Sequence, residues 1–458
     1  MTEGKHFGLS AEDKANLLLR LAQTPTEVSP PRKAKLDRQF DELIDPNFRR
    51  DHEVIRSTGE ILALENPFFR VHEGIAGAET VIGNRSYVNF SSYNYLGLNG
   101  DPRVSASAKA AIDRYGTSAS ASRVVSGERA VQRDLERALA EIHGVEDCIA
   151  FVSGHATNVT VIGHLFGPKD LILHDALIHN SVVQGALLSG ARRSSFAHND
   201  LDAAERLLAE QRPGHRHALV VVEGHYSMDG DVPDLPGFVA LARRHHARIM
   251  VDEAHALGVL GARGFGLAEH FDVDPTAVDF WMGTLSKTLA GCGGYIAASR
   301  ELVEYLKFSA PGFVYSVGIS PPLAAAALAA LDVMLAEPER VRRLNANARL
   351  FRDAAKSAGL DVGTSAGFAI VPIITGSSIV AGRLADALFR RGINVQPILY
   401  PAVSERSARL RFFLSSEHSE EQIRATVAAV AQESAAIEAS KVDLPALVRR
   451  LEASGKLR

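Results

Sequence analysis

Cysteine is nearly missing from this chain: Cys148 and Cys292 are the whole complement of 458 residues. Both sit among apolar or glycine neighbours, which excludes a disulfide framework and a cysteine-built metal centre, and no metal is expected. Charge of one sign is also missing. The formal net charge is -4 and basic residues are scattered, so nothing supplies a field for nucleic acid. Long hydrophobic runs are absent too. The most apolar stretch, 322–336, is interrupted by Asp332 and too short to span a bilayer, and it reads as a buried helix. Met1-Thr-Glu-Gly-Lys-His carries no apolar segment after its charges, so no secretory signal is expected and a reducing cytoplasm is the expected location.

What is present is an ordinary globular composition, 46% hydrophobic and 23% charged, long enough for a large domain and a smaller one. Ser10-Ala-Glu-Asp-Lys-Ala-Asn-Leu-Leu-Leu predicts a short amphipathic helix before the breaker Thr24-Pro-Thr-Glu-Val-Ser-Pro-Pro. Farther on, Cys148-Ile-Ala-Phe-Val, Leu171-Ile-Leu, Ala218-Leu-Val-Val-Val, Ile249-Met-Val and Asp279-Phe-Trp-Met are short apolar runs bounded by turn residues. Such runs suit strands buried on both faces. The expected fold is α/β, a mainly parallel sheet sandwiched by helices, followed by a smaller α+β domain with runs at Phe368, Gly392 and Arg409. The expected divisions are a helical arm 1–55, an N-terminal segment of the catalytic unit 56–103, a large domain 104–335, a small domain 336–435 and a peripheral helical tail 436–458.

Chemistry gathers where these runs end. Lys287 follows one in Gly283-Thr284-Leu-Ser286-Lys287-Thr, and Asp252 and His255 close another in Val251-Asp252-Glu-Ala-His255. In open α/β sheets ligands collect at the carboxyl ends of the strands. An amine able to form a Schiff base, with a carboxylate to keep a pyridine nitrogen protonated, is what pyridoxal 5'-phosphate (PLP) chemistry requires. At about 4 Å and an effective dielectric of about 20, a carboxylate stabilises a pyridinium by roughly 4 kcal/mol. His255 can bond that Asp or a cofactor hydroxyl. Phe151-Val-Ser-Gly154-His155 is a strand, turn and helix start able to hold a phosphate on backbone N–H groups. His179, just past another strand, is the candidate to lie flat on the pyridine, and Glu223-Gly-His-Tyr-Ser227 ends a further strand in polar groups. Arg411 or Arg409, alike in parity, can fork onto a substrate carboxylate. Gly261-Ala-Arg-Gly264-Phe-Gly266 and Gly291-Cys-Gly293-Gly294 lack the Rossmann spacing.

In combination Asn89-Phe-Ser-Ser-Tyr93-Asn94-Tyr, Tyr115-Gly-Thr through Ser126-Gly127, Ser153-Gly154 with Asn158, Glu223 through Asp231, Val251-Asp252-Glu-Ala-His255, Gly283-Thr284-Leu-Ser-Lys287 and Leu410-Arg411 have a further meaning. Over residues 55–435 the chain resembles the α-oxoamine synthases, the PLP-dependent group that includes serine palmitoyltransferase and 8-amino-7-oxononanoate synthase. The resemblance implies transferase fold type I and a homodimer with shared active sites. It further implies a decarboxylating Claisen condensation of a small α-amino acid with an acyl thioester. It assigns Lys287 to the Schiff base and to moving the substrate proton, His179 to stacking, Asp252 to the ring nitrogen, and His255 and Ser227 to the hydroxyl side. Gly154, His155 and Thr284 would hold the phosphate. Ser316 would reach the neighbouring subunit's cofactor, Arg411 would take the amino-acid carboxylate, and Tyr93 and Asn94 would lie by the acyl thioester. The chain departs from the group at Thr117-Ser-Ala-Ser-Ala-Ser-Arg123 and at Gln132-Arg-Asp-Leu-Glu136, both where the donor is expected. The serine-rich form resembles oxoamine synthase domains associated with polyketide synthases, where an acyl carrier protein replaces coenzyme A. The rivals are an aminotransferase on the same fold and a non-catalytic scaffold.

Overall fold

The computed structural model describes residues 45–440. The expected helix at Ser10 and the tail beyond Ser440 lie outside the described residues. Helix Pro46–Ile61 begins the described part, and the described residues from 59 to 440 pack as one compact unit.

Among the described residues, fourteen strands form three sheets. The N-terminal strands β1 (His72–Glu73), β2 (Glu79–Ile82) and β3 (Arg85–Asn89) precede β4 (Asp147–Phe151), β5 (Leu171–Asp175), β6 (Arg192–Phe196), β7 (Ala218–Glu223), β8 (Arg248–Asp252), β9 (Phe280–Thr284) and β10 (Gly294–Ala298). After two long helices come β11 (Ile370–Ile374), β12 (Ile393–Asn394), β13 (Gln396–Ile398) and β14 (Arg409–Phe413). The central sheet has seven strands in the order β4-β10-β9-β8-β7-β5-β6. Its five strands β5 to β9 are parallel, while β10 runs antiparallel to both β9 and β4. Two reversals restore direction, so the carboxyl end of β4 lies on the same side as those of β7, β8 and β9. Gly154, Glu223, Asp252 and Thr284 are thereby brought to one edge.

The five apolar runs read from the sequence are β4, β5, β7, β8 and β9, buried throughout or nearly so, as a sheet covered on both faces requires. The sequence reading did not single out β6 or β10. Arg192-Arg-Ser-Ser-Phe is largely polar because β6 is the sheet's edge and faces water along much of its length. The helix read from Pro322 spans Pro321–Ala336 and is buried along most of its length.

The C-terminal half carries a three-stranded antiparallel sheet, β11-β14-β13. The N-terminal strands join it from outside: β12 pairs in parallel with β3, Ile393 opposite Val88. The segment bearing Tyr93 and Asn94 follows β3 directly and is held beside the C-terminal strands. No single helix among the described residues is long and apolar enough to cross a membrane.

Candidate active site

Parallel register sets Glu223 beside Asp252 and Asp252 beside Met282 at the ends of β7, β8 and β9. Lys287 lies three residues past β9. Burial pulls its ammonium down to about 8, although Asp252 and Glu223 oppose that shift. A nucleophilic amine needs this fall, since an ordinary lysine is almost fully protonated at neutral pH. Its Nζ lies 5.7 Å from the centre of the Tyr93 ring. Lys287, Tyr93 and Asn94 line one cavity of about 410 Å³ with His72, Ser92 and Ser286.

Asp252 is 4% exposed. Its Oδ2 accepts from Asn158 Nδ2 at 2.9 Å and its Oδ1 from the Ala254 N–H at 3.0 Å. Among the described residues no lysine or arginine forms an ion pair with it, although Lys287 lies near enough to feel its charge. Asn158 also reaches Ser181 Oγ at 2.9 Å, and that hydroxyl lies 2.7 Å from His179 Nδ1. Asp252 and His179 are thus linked through two side chains. His179 caps the helix Asn180–Ser189, which orients its ring at the start of that helix. Burial, first among several causes, lowers its basicity. The edge of its ring lies against that of His155, centroids 6.3 Å apart.

His255 is buried, and Tyr95 Oη lies 2.6 Å from its Nδ1. Burial, followed by the nearby charges of Lys287 and Arg411, holds the imidazole neutral. Tyr95 was not foreseen as its partner; only the fold brings residues 160 apart together. Gly154 opens the helix Gly154–Leu165, capped by Ser153. A Cβ on Gly154 would lie 2.9 Å from Thr284 Oγ1, and one on Gly294 would lie 2.6 Å from the Gly154 Cα. Free N–H groups, the exposed His155 and the hydroxyls of Thr284 and Ser286 surround this tight turn, which suits a phosphate. Thr284 Oγ1 itself donates to the Gly293 carbonyl at 2.9 Å.

The arginines separate clearly. Arg409 is committed: its Nη1 bonds Asp229 Oδ1 at 2.6 Å and the Met228 carbonyl at 3.0 Å. Arg411 has no carboxylate partner. Its Nη1 rests on the Ser227 carbonyl at 2.9 Å and on Met228 Sδ at 3.3 Å, while its Nε is buried with no partner. An unpartnered guanidinium N–H beside the lysine is a receptor for an anion. Ser227 is buried and its N–H donates to Glu223 Oε2 at 3.0 Å.

Two expected contacts look different in three dimensions. Asn94 spends its amide on its own turn, donating to the Ala76 carbonyl at 3.0 Å and accepting from the Asn99 N–H at 3.0 Å. Gln132 is fully buried, its Nε2 bonded to the Ile319 carbonyl at 2.8 Å, so this departure shapes a wall and offers nothing to a donor. Ser316 is not in the Lys287 cavity. It lines a separate one of about 540 Å³ with Ser120, Ser122, Val125 and Tyr315.

The aminotransferase class I and II family model matches residues 85–430. An 8-amino-7-oxononanoate synthase of Geobacter sulfurreducens is 43% identical over 365 residues, 79% of this chain and 93% of that protein. The 4-hydroxy-2,2'-bipyrrole-5-methanol synthase PigH of a Serratia species is 37% identical over 74% of this chain, which matches 52% of that longer protein. The Sphingomonas wittichii serine palmitoyltransferase structure superposes with a TM-score of 0.80 at 30% identity, covering 86% of this chain and 99% of that one. A serine palmitoyltransferase structure with PLP as its internal aldimine gives 0.80 at 28% identity, with the same coverage. The chain belongs to the aminotransferase class I and II family, in its α-oxoamine synthase branch, and is by class a PLP-dependent acyltransferase.

Proposed function

We propose that the protein condenses a small α-amino acid with an acyl thioester, releasing carbon dioxide and an α-aminoketone, with PLP as cofactor. One observation carries the reading: a depressed amine, a buried carboxylate bound only by neutral donors and an arginine with an unused N–H share one edge of the sheet. The residues fit the cofactor. Lys287 Nζ would bind its aldehyde carbon, Asp252 would face the ring nitrogen, and His179 would cover the ring. Gly154, His155 and Thr284 would cradle the phosphate, with His255 and Ser227 on the hydroxyl side. When bound, PLP supplies an electron sink that makes the amino acid's Cα proton acidic.

The chain's own groups do the rest. Arg411 binds the amino-acid carboxylate through Nε and fixes its orientation over the cofactor. Lys287 Nζ takes the Cα proton and later returns one, a role that its lowered basicity suits near neutral pH. His255, kept neutral, holds its hydrogen bond to Tyr95 without adding a positive charge. The thioester enters past Tyr93 and Asn94, along the cavity wall that faces Lys287.

The exposed Val124, Val125, Tyr315 and Val317 around Ser316 support a homodimer in which Ser316 completes the partner's site. Ser120, Ala121 and Ser122 of the serine-rich segment line the same cavity, and that segment, with the N-terminal extension, supports delivery of the acyl group on a carrier protein. A cytoplasmic location completes the reading. The test is to incubate the enzyme with serine, alanine or glycine and with short or long acyl thioesters on coenzyme A or carrier protein. Product mass and carbon dioxide are then read. Thioester-dependent carbon dioxide release is expected. Conversion of the cofactor to its amine form by amino acid alone would instead identify an aminotransferase.

A further inference from the structure

Glu223 is a buried titratable group with no part in the proposed reaction. It is 3% exposed, closes β7, and lies in register with Asp252 on the neighbouring strand, so both carboxyls project from the same face. Its Oε2 accepts the Ser227 N–H at 3.0 Å, while its Oε1 is buried with no partner. The charged groups that face it are Asp252 from β8, Lys287 from the segment after β9, and the turn bearing His179. Two arginines reach this loop, Arg411 on the Ser227 carbonyl and Met228 and Arg409 on Met228 and Asp229, and neither pairs with Glu223.

We propose that Glu223 is a positioning residue held as a neutral carboxylic acid, anchoring the Ser227 turn while leaving Asp252 as the single negative charge beneath the cofactor site. Two adjacent buried carboxyls with one lysine between them do not both ionise, because each disfavours the other's charge and neither has water to screen it. The fold decides which one keeps the proton. Asp252 has two hydrogen-bond donors, Asn158 and the Ala254 N–H, both of which stabilise an anion. Glu223 has one bond of full geometry, from the Ser227 N–H, with a weaker approach of the His179 N–H, and burial, followed by Asp252, pushes it up to about 8. Neutrality concentrates the local negative charge on the residue assigned to the ring nitrogen. This inference rests on the PLP reading for its purpose and not for its chemistry.

Three measurements test it. Infrared difference spectra of the cofactor-free protein at neutral pH, wild type minus Glu223→Gln, are expected to show a protonated carboxyl; a difference containing only carboxylate bands overturns the proposal. In the loaded enzyme, Glu223→Gln is expected to leave the pH midpoint of the visible band unchanged. Loss of an ionised Glu223 would lower that midpoint by roughly one unit, and this result also overturns the proposal. Glu223→Ala, checked for folding by its melting temperature, is expected to weaken PLP binding about tenfold through loss of the anchor, with Gln rescuing it. Binding equal to wild type in the Ala variant overturns the positioning role. If wild type forms no visible band, the PLP reading fails, and the infrared result still decides the state of Glu223.

Discussion

Two groups of buried charges in this molecule obey opposite rules. In the wall formed by Arg123, Glu128 and Glu136, and in the clip formed by Arg409 and Asp229, every arginine is matched with a carboxylate. The cluster of His198, Asp175 and Asp231 is likewise closed, with the imidazole 2.9 Å and 3.0 Å from the two aspartates. At the ends of β7 to β9 the reverse holds among the described residues: Asp252 forms no ion pair, Arg411 has an idle Nε, and Lys287 is stripped of part of its basicity. Matched charges fix the fold. Unmatched ones carry a standing free-energy cost that is relieved when a ligand supplies the missing partner.

The sharpest way to break this comparison is Lys287→Ala. It is expected to remove the visible cofactor band and lower condensation by about 10⁴-fold or more, read by spectrum and product mass. Retention of either would place the chemistry elsewhere.

On the matched side, Arg123→Ala takes from buried Glu136 its bidentate partner and leaves it only one cation among the described residues, Lys307 Nζ at 3.5 Å. The cost is roughly 3–5 kcal/mol of stability, seen as a shifted denaturant midpoint. Arg409→Ala should also lower stability, through loss of Asp229's partner. An unchanged midpoint in both would show that pairing does not separate the two groups.

On the unmatched side, Arg411→Ala is expected to raise the KM for the amino acid about 10- to 100-fold, with far less loss of stability than Arg409→Ala. Equal behaviour of the two arginines would erase the distinction.

Smaller effects sharpen the contrast through pH. In His198 burial lowers basicity, but hydrogen bonds and charges from Asp175 and Asp231 outweigh it and raise the imidazole to about 10. The stability this contributes is complete below the unfolded value of about 6.5 and is lost as pH rises through about 10. His198→Gln should flatten that alkaline decline in melting temperature. Lys287 has the opposite sign: its lowered pKa destabilises the cofactor-free fold most below about 8. Lys287→Met should therefore raise the melting temperature of the cofactor-free protein by about 2–4 °C at neutral pH, and less at alkaline pH.

The five buried strands were legible because an apolar run between turn residues has few other ways to satisfy its backbone. Lys287, Asp252 and Gly154 were legible for a related reason: each ends or follows such a run, and ends of parallel strands converge. The polar edge strand β6 was not, since a strand that faces water keeps no apolar pattern. Glu223 carried only a weak signal, as the last residue of a run. Its importance comes from the register that sets it against Asp252.

By itself the sequence determined the sheet, the edge at which chemistry would gather, and the amine and carboxylate that face it, because strand burial and strand ends are local properties of a chain. Only the tertiary structure tied Arg409 to Asp229, gave His255 its Tyr95 partner and turned Gln132 inward. Those outcomes depend on which distant group supplies a hydrogen bond or a countercharge. Spacing along the chain carries no record of that distance.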